Sequence, residues 1–339
     1  MKLPLCLCAA VMLMPGAAGL AWGQIAGDPL VQTGSLTLPT GAYSPLPERE
    51  VRLTALYLSE TGSFQNRPLS SNPLAAQVSA EAFAADYSYR DVLYSVGYQH
   101  AQFSLADDAS GRIISYAVVQ DAFALEVSSR VSELLHVAAR VTQISSKSTI
   151  EFSPVHGEAA NSYTDFAAGY TAELTPTVRM GANYSPAVNS ISRYNGDLVG
   201  VESKVGHGSQ FLAGFAHHTP AASFGLDGYD ELEYLPAESP HTQGTIVHGR
   251  VRFGNFAVGA QYEGYTKFEL RTDSRFISPK SDNTRVSGGV WWAPGSWVLG
   301  IVAQEETNTA SDTGDPAANA TRFDSSTLHG ILLSVVKVL

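Results

Sequence analysis

Residues 50–57 read Glu-Val-Arg-Leu-Thr-Ala-Leu-Tyr, and this stretch decides the predicted fold. Successive side chains of an extended strand point to opposite faces, so the stretch has one apolar face and one polar face. The apolar face carries Val51, Leu53, Ala55 and Tyr57. The polar face carries Glu50, Arg52 and Thr54. This pattern is typical of a strand that lies between lipid and a wet interior.

The same alternation recurs along the chain after residue 48. Apolar residues occupy every second position at 92–98, 135–141, 166–174, 178–184, 211–215 and 256–262. Segments of this kind predict strands that begin near Glu48, Ala80, Val92, Arg112, Glu133, Asn161, Thr177, Gly196, Gln210, Gly244, Phe256, Thr284, Trp297 and Arg322. We therefore predict an all-β fold, a transmembrane antiparallel up-and-down β-barrel of about 14 strands over residues 48–339.

The connections between these segments alternate in length. Short turns are predicted at 89–91, 128–132, 174–177, 206–208, 254–255 and 293–296. Longer polar stretches are predicted at 59–77, 106–111, 147–160, 189–195, 220–243, 271–282 and 308–321. Short turns on one rim and long loops on the other are typical of outer-membrane barrels.

The N-terminus has the composition of an export signal. Lys2 precedes an apolar stretch that ends at small residues near Gly23, so residues 1–23 are predicted to be a cleaved signal peptide. Both cysteines, Cys6 and Cys8, lie within it, and the mature chain would therefore have no disulfide or thiolate site. Residues 24–47 are rich in Gly and Pro and would form either a periplasmic lead-in or a small plug.

The charge balance excludes one class of partner. The chain has 21 Lys and Arg against 32 Asp and Glu, a net charge of −11 that becomes −12 without Lys2. Nucleic-acid binding needs a basic face, so we expect no nucleic-acid partner. Charged residues make up only 16% of the chain, which is low for a soluble domain and favours exposure of apolar surface to lipid.

Motifs for common catalytic chemistries are absent from the sequence. It contains no Gly-x-Ser-x-Gly elbow, no His-Glu-x-x-His pair and no phosphate-binding Gly-rich loop. We therefore expect a protein that is not an enzyme and that uses no cofactor and no metal. In a bacterial outer membrane, its partners would be lipid and lipopolysaccharide, a small solute or hydrophobic ligand, and the barrel-assembly machinery during biogenesis.

By strand parity, the interior face of the barrel would be unusually polar. The densest polar set lies on one predicted hairpin and consists of His248, Arg250, Arg252, Gln261, Glu263 and Lys267. Arg140 and Arg179 are further candidates on other strands. These side chains would either line a constriction that selects anionic solutes or form ion pairs that stiffen the wall.

Residues 165–188 resemble a hairpin of the long-chain fatty-acid transporter (FadL-type) family. The resemblance rests on a strand, a Thr-Pro turn and an Arg-x-Gly-x-x-Tyr strand, carried by Gly169, Tyr170, Thr175, Pro176, Arg179, Gly181, Tyr184 and Ser185. It covers about 25 residues of the 339. The resemblance implies a fourteen-stranded barrel with an N-terminal hatch, which carries hydrophobic compounds through a lateral opening.

Three functions stay open at this point. The preferred interpretation is a porin-like channel that passes small solutes through the charged lumen. The second is FadL-like uptake of hydrophobic compounds, which would require apolar residues inside the lumen. The third is a structural or surface-interaction barrel with a sealed lumen, in which the long loops carry the function.

Overall fold

A computed structural model describes residues 49–65, 73–107, 114–152, 154–200, 202–207, 209–232, 240–269, 281–310 and 325–339. Fourteen antiparallel strands close into one barrel, which confirms the predicted fold class. Among these residues, no helix has the length and apolar character needed to cross a membrane. The predicted signal peptide (1–23) and the segment 24–47 lie outside the described residues.

The wall strands follow one another around the ring in chain order. They are β1 (Val51–Gln65), β2 (Leu74–Tyr89), β3 (Val92–Asp107), β4 (Ile114–Ser132), β5 (Leu135–Phe152), β6 (Val155–Thr175), β7 (Val178–Ser185), β11 (Ser209–His218), β12 (Ala222–Leu232), β13 (Pro240–Phe253), β14 (Phe256–Glu269), β15 (Ser281–Trp292), β16 (Trp297–Ala310) and β17 (Ser325–Val338). The segment between β7 and β11 contains three short strands, β8 (Val188–Arg193), β9 (Asn195–Gly196) and β10 (Glu202–His207). Antiparallel pairing of β1 with β17 closes the ring.

Closure of the ring fixes the stagger of the strands. A path that starts at Val51 and steps from each residue to its partner in the next strand returns, after one circuit, to β1 at Gln65. The path has therefore climbed the barrel while it went around. This stagger requires the strands to tilt, typically by about 35–45° from the barrel axis. Cross-strand rows of side chains consequently run around the wall as spirals.

The two rims of the barrel differ. One rim, called the turn rim below, carries short connections at 90–91, 133–134, 176–177, 219–221, 254–255 and 293–296. In the first of them, Arg90 and Asp91 both have positive φ, 51° and 60°, as a two-residue type I′ turn requires. The opposite rim, called the loop rim, carries most of the longer connections, as the sequence predicts.

The outer surface of the wall carries an apolar band. Leu53 is 42% exposed and Phe83 is 53% exposed, although both lie in regular strands. Aromatic side chains concentrate at the two edges of the band. With the loop rim taken as the top of the barrel, the aromatic residues of the lower edge, near the turn rim, are Tyr87, Tyr89, Tyr94, Phe256, Trp292 and Trp297. Those of the upper edge are Tyr57, Tyr98, Phe123, Tyr184, Phe211 and Tyr262. Two such girdles are typical of barrels that span a bilayer.

Three predicted segments differ most from the structure, whereas the loop predicted at 59–77 and the turn predicted at 128–132 are displaced, since β1 runs to Gln65, β2 begins at Leu74 and β4 runs to Ser132. The predicted long loop at 220–243 is wrong, because it contains β12 after a short turn at 219–221. The predicted loop at 147–160 is also wrong, since β5 runs to Phe152 and β6 begins at Val155. Conversely, the strand predicted near Gly196 is not one of the fourteen wall strands: β9 pairs with β6 over only two residues, and β8 and β10 pair with each other in a separate sheet. One missed and one added strand leave the total unchanged.

Trp291 packs against the inner wall at a place where neighbouring strands have no side chain. A Cβ atom built on Gly289 would lie 2.7 Å from Cη2 of Trp291 and 2.7 Å from Cγ2 of Val302. A Cβ atom on Gly259 would lie 3.2 Å from Cζ3 of Trp291. The glycines therefore provide the space that the indole ring occupies, which leaves Trp291 only 5% exposed.

Substitution of Gly289 tests this packing. We expect Gly289→Ala to lower the free energy of unfolding by about 1–3 kcal/mol, because the added methyl overlaps the indole and cannot be accommodated without a shift. Gly288→Ala is the matched control, since its Cβ would meet only the Gly259 carbonyl oxygen at 3.9 Å. Urea unfolding of the refolded barrel in lipid vesicles measures both. Equal stability of the two variants would contradict this account.

Candidate functional site: the barrel lumen

An apolar row crosses the inner wall of the barrel. From β3 to β16 its register partners are Ala101, Ala80, Leu58, Leu332 and Val302. All five are buried in one hydrophobic cluster, which also contains Ala257 and Trp291. Because the row follows the stagger of the strands, it descends toward the turn rim as it passes from β3 to β16.

A second apolar cluster lies closer to the loop rim. Its buried members are Leu74, Ala76, Phe103, Leu105 and Leu328, and Val78 and Tyr116 pack against it. Val78 precedes Ala80 by two positions on β2, and Phe103 follows Ala101 by two positions on β3, so the two clusters adjoin on one face. The two clusters, together called the apolar track below, extend from near the loop rim toward the turn rim.

A polar row runs beside the apolar row. From β1 to β13 its register partners are Glu60, Gly330, Gln304, Ser287, Gln261 and His248. The two rows are two residues apart along each strand, which is a separation of ~7 Å. Glu60 reaches Gln304 across Gly330, where a Cβ atom would lie 2.5 Å from Cγ of Glu60. Nε2 of Gln304 donates a hydrogen bond to Oε1 of Glu60.

Ion pairs link charged side chains of the inner wall in its lower half. They join Arg52 to Asp86 at 2.6 Å, Arg179 to Glu173 at 3.0 Å, and Arg140 to Glu126. A charge that leaves water without a partner is costly, so a carboxylate beside each guanidinium stabilises both groups in the wall. These contacts correspond to the wall-stiffening alternative, and each arginine has its charge compensated by an acid.

A three-residue ionic cluster lies just above the polar row. Arg285 on β15 is the register partner of Glu263 on one side and of Glu306 on the other. Its guanidinium contacts both carboxylates, with 3.3 Å to Glu263. Glu306 also accepts a hydrogen bond from the hydroxyl of Tyr265 at 3.3 Å. Two carboxylates around one guanidinium make this part of the lumen acidic.

The predicted basic hairpin exists as β13–β14, but its basic residues lie at different levels. His248 is buried and is the register partner of Gln261 in the polar row. Arg250 lies two residues closer to the turn rim. Arg252 is exposed at that rim, where its Nε donates a hydrogen bond to the Gly254 carbonyl oxygen at 2.9 Å. The hairpin therefore does not form a single basic ladder.

The remaining predicted residues are distributed around the wall. Glu263 faces Ile246 across the hairpin and pairs with Arg285 on the next strand instead. Arg140 and Arg179 lie in the lower ion pairs described above. The side chain of Lys267 lies outside the described residues. A role of any of these residues in a constriction stays a prediction.

Sequence reasoning missed the apolar row. Leu58, Leu332 and Trp291 lie on the face that strand parity assigns to a polar lumen. A signal for them is present, because residues 55–58 and 331–333 are uninterrupted apolar runs. A strand that is apolar on both faces is typically covered on both faces, by lipid on one side and by other apolar groups on the other.

The wall of the barrel is interrupted between β6 and β7. β7 ends at Ser185, so its ladder with β6 covers only residues 168–175 of that strand. Farther up, β6 pairs with β9 only at Gly157 and Glu158. Between these ladders, side-chain hydrogen bonds join β8 to β6, from Ser190 to Asn161 at 2.8 Å and from Ser192 to the Ala160 carbonyl at 3.4 Å. The interruption begins at the upper edge of the apolar band.

Solved structures that match this fold include hydrocarbon channels and a FadL homologue. The CymD monoaromatic hydrocarbon channel matches with a TM-score of 0.59 and 11% identity, over 86% of this chain and 89% of that chain. The toluene transporter TbuX of Ralstonia pickettii gives 0.55 and 12%, over 86% and 90%. A FadL homologue of Pseudomonas aeruginosa gives 0.54 and 10%, over 88% and 91%.

The comparisons establish a likeness of fold. No family model matches the chain, and no curated protein sequence matches it. The FadL-type resemblance predicted from residues 165–188 is confirmed at the level of the barrel architecture. Those residues form the β6–β7 hairpin, with its turn at 176–177.

Disruption of the pair between Arg140 and Glu126 tests the lower ion pairs. We expect Arg140→Ala to lower the free energy of unfolding by about 3–5 kcal/mol, because it leaves the Glu126 carboxylate buried without its partner. Their side chains are 6% and 1% exposed. Lys147→Ala is the matched control, since it breaks a pair with Glu158 that is largely exposed, and a loss below about 1 kcal/mol is expected. Similar losses for both variants in urea unfolding would show that Glu126 is not sequestered from water.

Proposed function

We propose that this barrel carries small hydrophobic compounds across the bacterial outer membrane. The observation that carries the proposal is the apolar track inside the lumen. The interior of a water-filled barrel is polar, so an aqueous channel has no use for such a track. Each Å² of apolar ligand surface that the track removes from water contributes about 25 cal/mol to binding before the costs of association.

The fold comparisons support the same choice. The structures described above include a monoaromatic hydrocarbon channel and a toluene transporter. Their likeness to this chain lies in the fold, and the apolar track supplies the independent chemical argument. Hydrophobic transport, rather than the porin-like channel, therefore becomes the preferred function.

The interruption of the wall between β6 and β7 supports a lateral route. Backbone groups in lipid must be paired, so an opening in a ladder is tolerated only where water or other protein groups meet it. Here the ladder ends where Tyr184 and Phe211, which are register partners, close the upper edge of the apolar band. A hydrophobic compound that leaves the lumen at this level would meet the outer leaflet of the bilayer.

Polar substitutions in the apolar row test the proposal. We expect the double variant Leu58→Gln/Leu332→Gln to reduce toluene uptake by cells producing the chain by about tenfold, because two buried amides replace apolar contacts along the track. Ser128→Gln is the matched control, as it adds an amide to the inner wall away from the apolar row, and uptake should stay within about twofold. Heat-modifiable migration in electrophoresis verifies that each barrel is folded.

Unchanged uptake by the folded double variant would contradict hydrophobic transport along this track. An equal loss of uptake in the Ser128→Gln control would also contradict transport along this track, because the location of the added amide would then not matter. A sealed structural barrel predicts no uptake above that of cells without the chain.

The porin-like channel remains the second candidate, and the positions of His248 and Arg250 on the inner wall favour it. Single-channel recording in planar bilayers separates the two functions. For hydrophobic transport we expect no steady conductance from the wild-type chain or from Arg250→Ala/Arg252→Ala. A steady, anion-selective conductance that loses its selectivity in the double variant would establish the aqueous channel instead.

A further inference from the structure

Several buried side-chain atoms of the described residues have no hydrogen-bond partner, and one of them on the inner wall lies beside the apolar row. Oε1 of Gln304 is buried and receives no hydrogen bond from any residue that the structure describes. The residue as a whole is 5% exposed. Its other amide atom, Nε2, donates to Glu60. Because a carboxylate accepts hydrogen bonds and the amide nitrogen donates them, Glu60 fixes the orientation of the amide and directs Oε1 away from itself.

A buried acceptor without a donor is unfavourable, and protein interiors satisfy such atoms with water or with a ligand. Gln304 therefore requires a donor that the described protein residues do not supply. The donor has to approach from the side of the amide that faces away from Glu60.

Apolar groups lie within one small molecule's length of this acceptor. Val302 precedes Gln304 by two residues on β16, a distance of ~7 Å along the strand. Leu332 is the register partner of Val302, and Trp291 belongs to the same buried cluster. A single six-membered ring with a hydroxyl group opposite its apolar end matches this spacing.

Charges around Gln304 restrict the ligand further. Glu60 lies on one side of it, and Glu306 follows it by two residues on β16. The guanidinium of Arg285 already contacts Glu306 and Glu263. A ligand carboxylate would therefore meet other carboxylates here, and like charges at short range in a partly desolvated site repel strongly.

We propose that Gln304 and the apolar row form a subsite for neutral hydroxyl-bearing apolar compounds of one-ring size, such as phenols and cyclic alcohols. The ring packs on Val302 and Leu332, and the hydroxyl donates a hydrogen bond to Oε1 of Gln304. This inference rests on the proposed transport of hydrophobic compounds and names the substrate class that the lumen prefers.

Three probes of equal ring size test the subsite: toluene, p-cresol and p-toluate. Calorimetric titration of the refolded chain in nanodiscs, with empty nanodiscs subtracted, measures their affinities. We expect p-cresol to bind about tenfold more tightly than toluene, and p-toluate to bind more weakly than both. Gln304→Met keeps the length of the side chain and removes the acceptor, so the preference for p-cresol should disappear while toluene affinity is retained.

Gln261→Met is the matched control, because it removes the same amide from the same polar row two strands away. It should leave the preference for p-cresol intact. Equal affinities of the wild-type chain for toluene and p-cresol would overturn the proposal, whatever the variants do. If the wild-type chain bound none of the three probes, the result would instead contradict the proposed transport of hydrophobic compounds.

Discussion

The structure depends on one constraint, which is that the last strand must pair with the first. A sheet in a bilayer cannot leave an edge unpaired, and β17 removes the edge by pairing with β1 over almost its whole length. Closure then determines the tilt of every strand, because the stagger must be consistent around the full circuit. Which side chains lie side by side in the lumen is therefore set by the register of neighbouring strands, and the order of residues along one strand does not reveal it.

Spiral rows explain how a single wall can be both apolar and charged. Leu58 and Glu60 are two residues apart on β1, yet each belongs to a different row that crosses several strands. The apolar row continues through Leu332 and Val302, whereas the polar row continues through Gln304 to His248. The inner wall is therefore amphipathic, with hydrogen-bonding side chains on one side of the apolar row. The strand stagger positions these groups.

The sequence predicts the wall better than it predicts the lumen. Alternation such as that of Val51 to Tyr57 is a local signal, because lipid covers one face of each strand and the pattern needs no knowledge of neighbours. β12 was not predicted because Phe224 and Leu226 are followed on the same face by Gly228 and Asp230, which interrupt the apolar alternation. The pairing of Arg285 with both Glu263 and Glu306 depends on the register of three strands. Such long-range information is not contained in the pattern of any one segment.

The short length of β7 has a mechanical consequence for the ring. A closed sheet is held together by its weakest ladder, since opening any one junction converts the barrel into a sheet with two edges. The β5–β6 ladder extends over residues 135–152 of β5, whereas the β6–β7 ladder is confined to residues 168–175 of β6. Fewer backbone hydrogen bonds resist separation at this seam. Local opening should therefore begin there, and amide hydrogens of β7 should exchange with solvent before those of β4 and β5.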